Sequence, residues 1–150
     1  MMGTHYQGTQ SEKDALEVYI KFSRAAGSVE ARINRHLKDY RLTFSQFGVL
    51  EALYHLGPLH QHELAAKILK SSGNLTLVID NLVKRGLVER ERDETDRRYI
   101  TICLTEAGDQ LISDIFPHHV RQVVGAIAVL TPEEQHQLVV LCRKLGLAQD

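Results

Sequence analysis

From Pro58 to Gly108 the chain reads as two short helices followed by a two-stranded hairpin with a charged tip, and this order constrains the fold of everything around it. Leu75, Val78, Ile79, Leu82 and Val83 recur at helical spacing, which gives the second helix one buried stripe. Ahead of the stripe stand Ser71, Ser72, Gly73, Asn74 and Thr76, small polar residues that suit a helix start better than a helix interior. A helix with an apolar back and a small polar first turn is suited to pushing that end into another surface. In a helix-turn-helix the surface is the major groove, where short hydrogen-bonding side chains reach base edges and phosphates.

After Gly86, which ends the helix, Leu87–Arg92 reads as a strand. Tyr99–Leu104 reads as its partner, with Ile100, Ile102 and Leu104 on one face and Tyr99, Thr101 and Cys103 on the other. Asp93-Glu94-Thr95-Asp96 forms a polar turn between them, followed by Arg97 and Arg98. The pattern predicts a hairpin of the wing type. Asp96 can hold one arginine in a fixed geometry and leave the other free.

Helices surround this segment. After a frayed tail to about residue 11, a long helix from Glu12 to about Lys38 carries Leu16, Tyr19, Phe22, Ala26, Val29, Ile33 and Leu37 in steps of three and four. Its other side is basic, with Lys21, Arg24, Arg32, Arg35 and Lys38. A second helix opens at Thr43, whose capping-box spacing to Gln46 satisfies orphan backbone donors; Phe47, Leu50, Leu53 and Tyr54 form its core face and Gly57-Pro58 stops it. The third, about Gln61–Leu69, buries Leu64, Ala65 and Ile68. Beyond Thr105 a helix reaches about Val129, with a kink expected at Pro117, where a backbone donor is lost. Thr131-Pro132-Glu133-Glu134 starts a last helix with an apolar stripe of Leu138, Leu141, Cys142 and Leu145.

The terminal helices carry more apolar surface than a winged core needs. Packing against the same helices of a second copy would bury it, and a two-fold dimer would set two recognition helices about one DNA turn apart. An intramolecular bundle is the alternative.

Bulk properties narrow the function. The 150 residues suit one domain with helical extensions. A net charge of −1 argues against coating nucleic acid by bulk charge, so a DNA reading must rest on local groups and on shape. No apolar run approaches the roughly 20 residues of a membrane span, and no signal-peptide core opens the chain, so the expected location is cytoplasmic. Cys103 and Cys142 lie in apolar patterns, which suggests inert thiols rather than a disulfide or zinc site. No nucleophile elbow, glycine-rich phosphate loop or acid–base pair accompanies Ser71-Ser72, so an enzyme is not expected, and no cofactor is either.

With these elements placed, the chain from about residue 12 to 147 resembles the MarR family of winged-helix transcription regulators. The resemblance is carried by Asp96-Arg97-Arg98 followed by Leu104-Thr105-Glu106 and Gly108, the wing signature, and by Leu82–Arg90 (LVKRGLVER). It implies a mainly α fold with a small β-wing: a winged helix-turn-helix domain over 43–108, with dimerisation helices over 12–38 and 109–148. It also implies an obligate homodimer on a pseudo-palindromic DNA operator, usually as a repressor, released in many members by small phenolic or aromatic acids. Carried over position by position, Ser71, Ser72, Asn74 and Thr76 face the major groove and its phosphates. Asp96 supports the wing, and Arg98, with Arg97 beside it, reaches the minor groove or its phosphates. The His60-Gln61-His62 start of the third helix departs from the family's usual threonine or serine cap; imidazole caps less well, which leaves either histidine as a candidate DNA contact in place of the usual phosphate contact.

Three further expectations remain. An effector crevice would be walled by Tyr40, Phe47, Leu50 and Tyr54, with Arg32 or His36 supplying polarity, although these also suit plain core roles. A metal-responsive regulator would use Asp114 and His118, an i, i+4 pair, with His119 and His36 nearby, against a simpler account as exposed histidines. An oxidation sensor would want a cysteine near the start of the first helix, and none stands there. A winged-helix protein-interaction module is the other alternative.

Overall fold

The computed structural model describes residues 5–68 and 72–147, residues 72 and 73 by their backbone alone. It is mainly helical with one small antiparallel sheet, as the sequence predicts, and it divides into two compact units. One holds His36–Arg121; the other joins the chain up to Arg35 with the chain from Gln122 on.

In the His36–Arg121 unit, α2 (Phe44–Leu56), α3 (Gln61–Ile68) and α4 (Ser72–Lys84) precede the hairpin of β2 (Val88–Arg92) and β3 (Ile100–Leu104). The hairpin pairs from Val88 opposite Leu104 to Arg92 opposite Ile100. The sequence reading lacks a third strand: Leu59–His60 forms β1 on the free edge of β3, opposite Ile102 and Thr101. Two residues are too few to show strand alternation, so only the pairing reveals them. The core is built from both kinds of element. Phe47, Val49, Leu50 and Leu53 enter from α2, Leu64 from α3, Leu75, Ile79 and Leu82 from α4, Ile102 from β3, and Ile112 and Ile115 from α5 (Glu106–Ile127). Each fully buried leucine or isoleucine contributes about 1.5–3 kcal/mol over an exposed one. Two predicted core positions differ: Tyr54 and Val83 are exposed, because each lies at the margin of its helix's buried stripe.

Local signals account for the helix ends. Thr43 caps α2, donating its backbone N–H to Gln46 Oε1 at 3.0 Å while its hydroxyl accepts from Gln46 N at 3.1 Å. Gly86, at φ +71°, closes α4 in the left-handed region that favours glycine. Gly108 has a different constraint: a Cβ there would lie 1.9 Å from the carbonyl oxygen of Leu87, so only glycine permits this approach of α5 to the start of β2. Thr105 completes the joint, donating its hydroxyl to Gly86 O (2.6 Å) and accepting from Gly108 N (3.0 Å). The Leu-Thr-Glu-x-Gly signature therefore welds the hairpin to α5.

In the other unit, α1 (Gln10–Ile33) and α6 (Pro132–Leu147) contain no fully buried residue. The first helix differs from the sequence reading at both ends. It starts two residues earlier, because Thr9 and Glu12 form a capping box, with Thr9 N donating to Glu12 Oε2 at 2.7 Å. It stops at Ile33, where a 3₁₀ segment, Asn34–Tyr40, replaces the predicted continuation. That tighter segment buries His36 and Leu37, and Leu42 N closes it by donating to Leu37 O at 3.0 Å. A capping box also opens α6, between Thr131 and Glu134. Among the described residues no helix is long and apolar enough to cross a membrane.

Candidate nucleic-acid interface

The face of α4 that turns away from the core is defined by what is buried. Leu75, Ile79 and Leu82 are wholly enclosed, which leaves Asn74, Thr76, Leu77, Asn81 and Lys84 exposed. Ser71 lies outside the described residues, as does the side chain of Ser72. Asn74 and Thr76 are both exposed, but the Thr76 hydroxyl accepts a hydrogen bond from Gln61 Nε2 at 2.9 Å. Gln61 thereby fixes the start of α3 to the early turns of α4.

A second tie joins α4 to the wing. Arg90 on β2 pairs with Asp80 through Nη2 and also reaches the carbonyl of Thr76 at 3.4 Å. At the other end of α4, Arg85 donates to the carbonyls of Arg41 (2.7 Å) and Tyr40 (3.1 Å), just where Arg41 takes a positive φ. Arg85 and Arg90 are thus positioning residues that sequence reasoning missed. Their signal was present only as basic residues inside LVKRGLVER, with no hint of the partners.

The wing tip is organised by its two aspartates. Asp93 Oδ1 accepts from the amide and hydroxyl of Thr95, at 2.8 and 2.7 Å. Asp96 accepts from Arg98 through its amide (3.0 Å), Nε (3.0 Å) and Nη2 (2.7 Å). These bonds hold both carboxylates below their ordinary range: Thr95 is the largest cause for Asp93 and Arg98 for Asp96. The pair in turn raises the Arg98 guanidinium. Arg98 is nevertheless 85% exposed, and its Nη1 makes no bond with the described residues. Arg97 is exposed and makes no ion pair or hydrogen bond with them. One arginine is therefore aimed by Asp96 and the other is loose.

Between the wing and α3 lies a ring cluster. His60 and His62 stack at 5.7 Å with a 13° interplanar angle, and both rings lie against Tyr99, at 5.0 and 5.6 Å. His60 Nδ1 contacts the Thr101 hydroxyl at 3.2 Å, and its amide donates to Glu63. Glu63 thus supplies only the carboxylate half of a capping box, satisfying the His60 amide and not the first amides of α3 that a threonine hydroxyl would have served.

A protruding helix braced to an arginine-tipped hairpin is the architecture of a winged helix-turn-helix, a class that reads duplex DNA. Comparison with known proteins agrees. Residues 42–100 match the MarR family model. The HTH-type transcriptional regulator YkoM of Bacillus subtilis is 35% identical over 98% of this chain and 95% of its own. Sco3205, a MarR family regulator from Streptomyces coelicolor solved in complex with DNA, is 26% identical with a TM-score of 0.82, over 96% of this chain and 91% of its own. BpsR of Bordetella bronchiseptica, whose DNA binding is regulated by 6-hydroxynicotinic acid, has the same identity and TM-score over 96% of this chain and all of its own. This chain belongs to the MarR family and is a DNA-binding transcriptional regulator, in a family of regulators rather than enzymes.

The residues expected to wall an effector crevice fall into two sets. Arg32 lies on the last turn of α1, where Nε donates to Ser28 O at 3.4 Å. His36, Phe47 and Leu50 belong to the other unit and are buried, Tyr40 is half-buried, and Tyr54 is exposed beside Phe116. His36 stands 5.0 Å from His118 and 5.4 Å from His119, and the His119 ring lies 4.5 Å from that of Phe47. Burial, and then the charge of His36, lowers the His119 pKa. His119 Nδ1 is buried without a hydrogen-bond partner among the described residues. The cluster does not extend to Asp114, which accepts instead from Gln110. No group of three His, Cys, Asp or Glu among the described residues is arranged to hold a metal ion. Cys103 is half-buried, and burial followed by the charges of Glu91 and Glu89 pushes its thiol up, away from a reactive thiolate.

Proposed function

We propose that the protein is a homodimeric repressor that binds a pseudo-palindromic operator and is released from it by a small aromatic acid. In this reading α4 enters the major groove with Ser71, Ser72, Asn74 and Thr76, while the wing delivers Arg98 and Arg97 to the minor groove and its phosphates. Asp96 aims the wing. The observation that carries the reading is the bracing of α4: Gln61 ties its start to α3, Arg90 ties its middle to the arginine-bearing wing, and Arg85 ties its end to the Tyr40 and Arg41 carbonyls. A fixed spacing between major-groove and minor-groove elements is what a sequence-specific reader needs.

Dimerisation rests on the exposed leucines, tyrosine and phenylalanine of α1 and α6, over the terminal segments 12–38 and 109–148. The effector reading rests on the ring cluster around His36, Phe47 and His119, whose imidazole donors and aromatic walls suit a flat carboxylic acid. BpsR, whose DNA binding is regulated by a hydroxylated aromatic acid, gives the reading a parallel. The operator function places the protein in the cytoplasm.

Fluorescence anisotropy tests the reading, with labelled DNA from beside the protein's own gene against scrambled DNA at two salt concentrations. The expected result is a preference of roughly 10³-fold or more, two subunits per site and a steep salt slope. Aromatic acids are then screened for release. Equal affinity for both duplexes at both salts would refute operator recognition.

A further inference from the structure

Leu77 stands at the centre of the exposed face of α4 and is 65% exposed. It lies two residues from both Leu75 and Ile79, each completely buried, so at 100° per residue it points almost directly away from the core. A single exposed leucine elsewhere on a protein surface would need no explanation. This one sits on the groove-facing side of a recognition helix, between Asn74 one turn before and Asn81 one turn after, where contact with base edges is the helix's purpose.

An isobutyl group neither donates nor accepts a hydrogen bond. In the major groove the base-edge group that it complements is the C5-methyl of thymine. Opposite any of the polar edges, Leu77 would strip water from a donor or acceptor and return nothing, which costs affinity. We propose that Leu77 is a specificity-determining residue that reads a thymine methyl in each operator half-site. The inference rests on the operator reading above and deepens it: Asn74 supplies hydrogen-bonding readout, and Leu77 supplies the apolar contact beside it.

Deoxyuridine differs from thymidine by that methyl group alone and pairs identically, so it isolates the contact. The operator duplex found by anisotropy is resynthesised with each thymine of a half-site, and its symmetry mate, replaced in turn by deoxyuridine. The expected result is one thymine pair whose replacement weakens the wild-type protein about fourfold per half-site, the worth of one buried methyl-sized group. Leu77→Ala and Leu77→Gln should bind the thymine duplex more weakly and show less than about a twofold response to deoxyuridine at that position. Circular dichroism and thermal melting should leave both variants unchanged, because the side chain is outside the core. Wild type and Leu77→Ala responding equally to every replacement would overturn the inference while leaving operator binding intact. A protein that prefers no duplex over scrambled DNA would overturn the operator reading and this inference with it.

Discussion

The two compact units are built on opposite principles. Among the described residues the His36–Arg121 unit holds every fully buried apolar side chain, and its polar groups brace one helix and one hairpin. The helices α1 and α6 of the other unit have good caps and regular apolar stripes, yet neither buries a single residue completely. Caps contribute only about 0.5–2 kcal/mol each, and most helical stability in proteins comes from packing an amphipathic face rather than from propensity. The first unit thus carries its own reason to fold, whereas the second carries half of one. Its apolar faces explain themselves only through a second surface, and the operator reading supplies that surface as a second copy of the chain.

The largest expected effect breaks the self-sufficient unit. Leu50→Ala, at a site with no exposure, should cost about 2–5 kcal/mol in chemical denaturation, as a cavity opens between α2 and its neighbours. The same change at Leu141 of α6, which is 58% exposed, should leave the isolated chain's stability nearly untouched. A sharper probe of the second unit is Leu141→Asp. Sedimentation should show the dimer weakened by about 2 kcal/mol or more if that leucine is central to the contact, with the winged unit still folded by circular dichroism. Loss of both together would mean that the two units do not divide the labour as argued.

Arg98→Ala comes next, with operator affinity falling by about 1–3 kcal/mol and no change in dimerisation. Arg97→Ala should reduce the salt slope more than the sequence preference, since that side chain is not aimed. The smallest effect is on pH. The folded state keeps the His119 imidazole below its ordinary value, so the neutral ring contributes stability that is complete above about pH 6.5 and is lost as pH falls through the lower folded value. Melting temperature should therefore decline on acidification more in the wild type than in His119→Gln; parallel curves would assign the acid sensitivity to other groups.

Much of this was legible in the chain itself. Among the described residues periodicity located each α-helix, because each buries or presents one stripe, and the capping boxes at Thr43 and Thr131 marked two of their starts to the residue. The wing was legible because alternating Ile100, Ile102 and Leu104 follow a charged turn. The box at Thr9 was equally present in the sequence, but the apolar stripe that marks the helix begins only at Leu16, well beyond it. Strand β1 and the 3₁₀ segment after Ile33 had no local signature. The first exists because β3 offers an unpaired edge, and the second because Leu37 must reach a core assembled from residues far along the chain.

The candidate interface divides along the same line. Residue types sufficed to single out α4 and the wing as candidates for DNA contact, by small polar groups on a helix start and arginines on a hairpin tip. Which arginine Asp96 holds, which residues brace α4, and which side chain stands opposite the core were decided by packing. Ion pairs such as Arg90–Asp80 and bonds such as Arg85 to the Tyr40 and Arg41 carbonyls join residues ten to forty-five positions apart. Sequence spacing carries no information about such partners. The burial of Leu75, Ile79 and Leu82 against the rest of the fold leaves Leu77 exposed on the opposite side of α4.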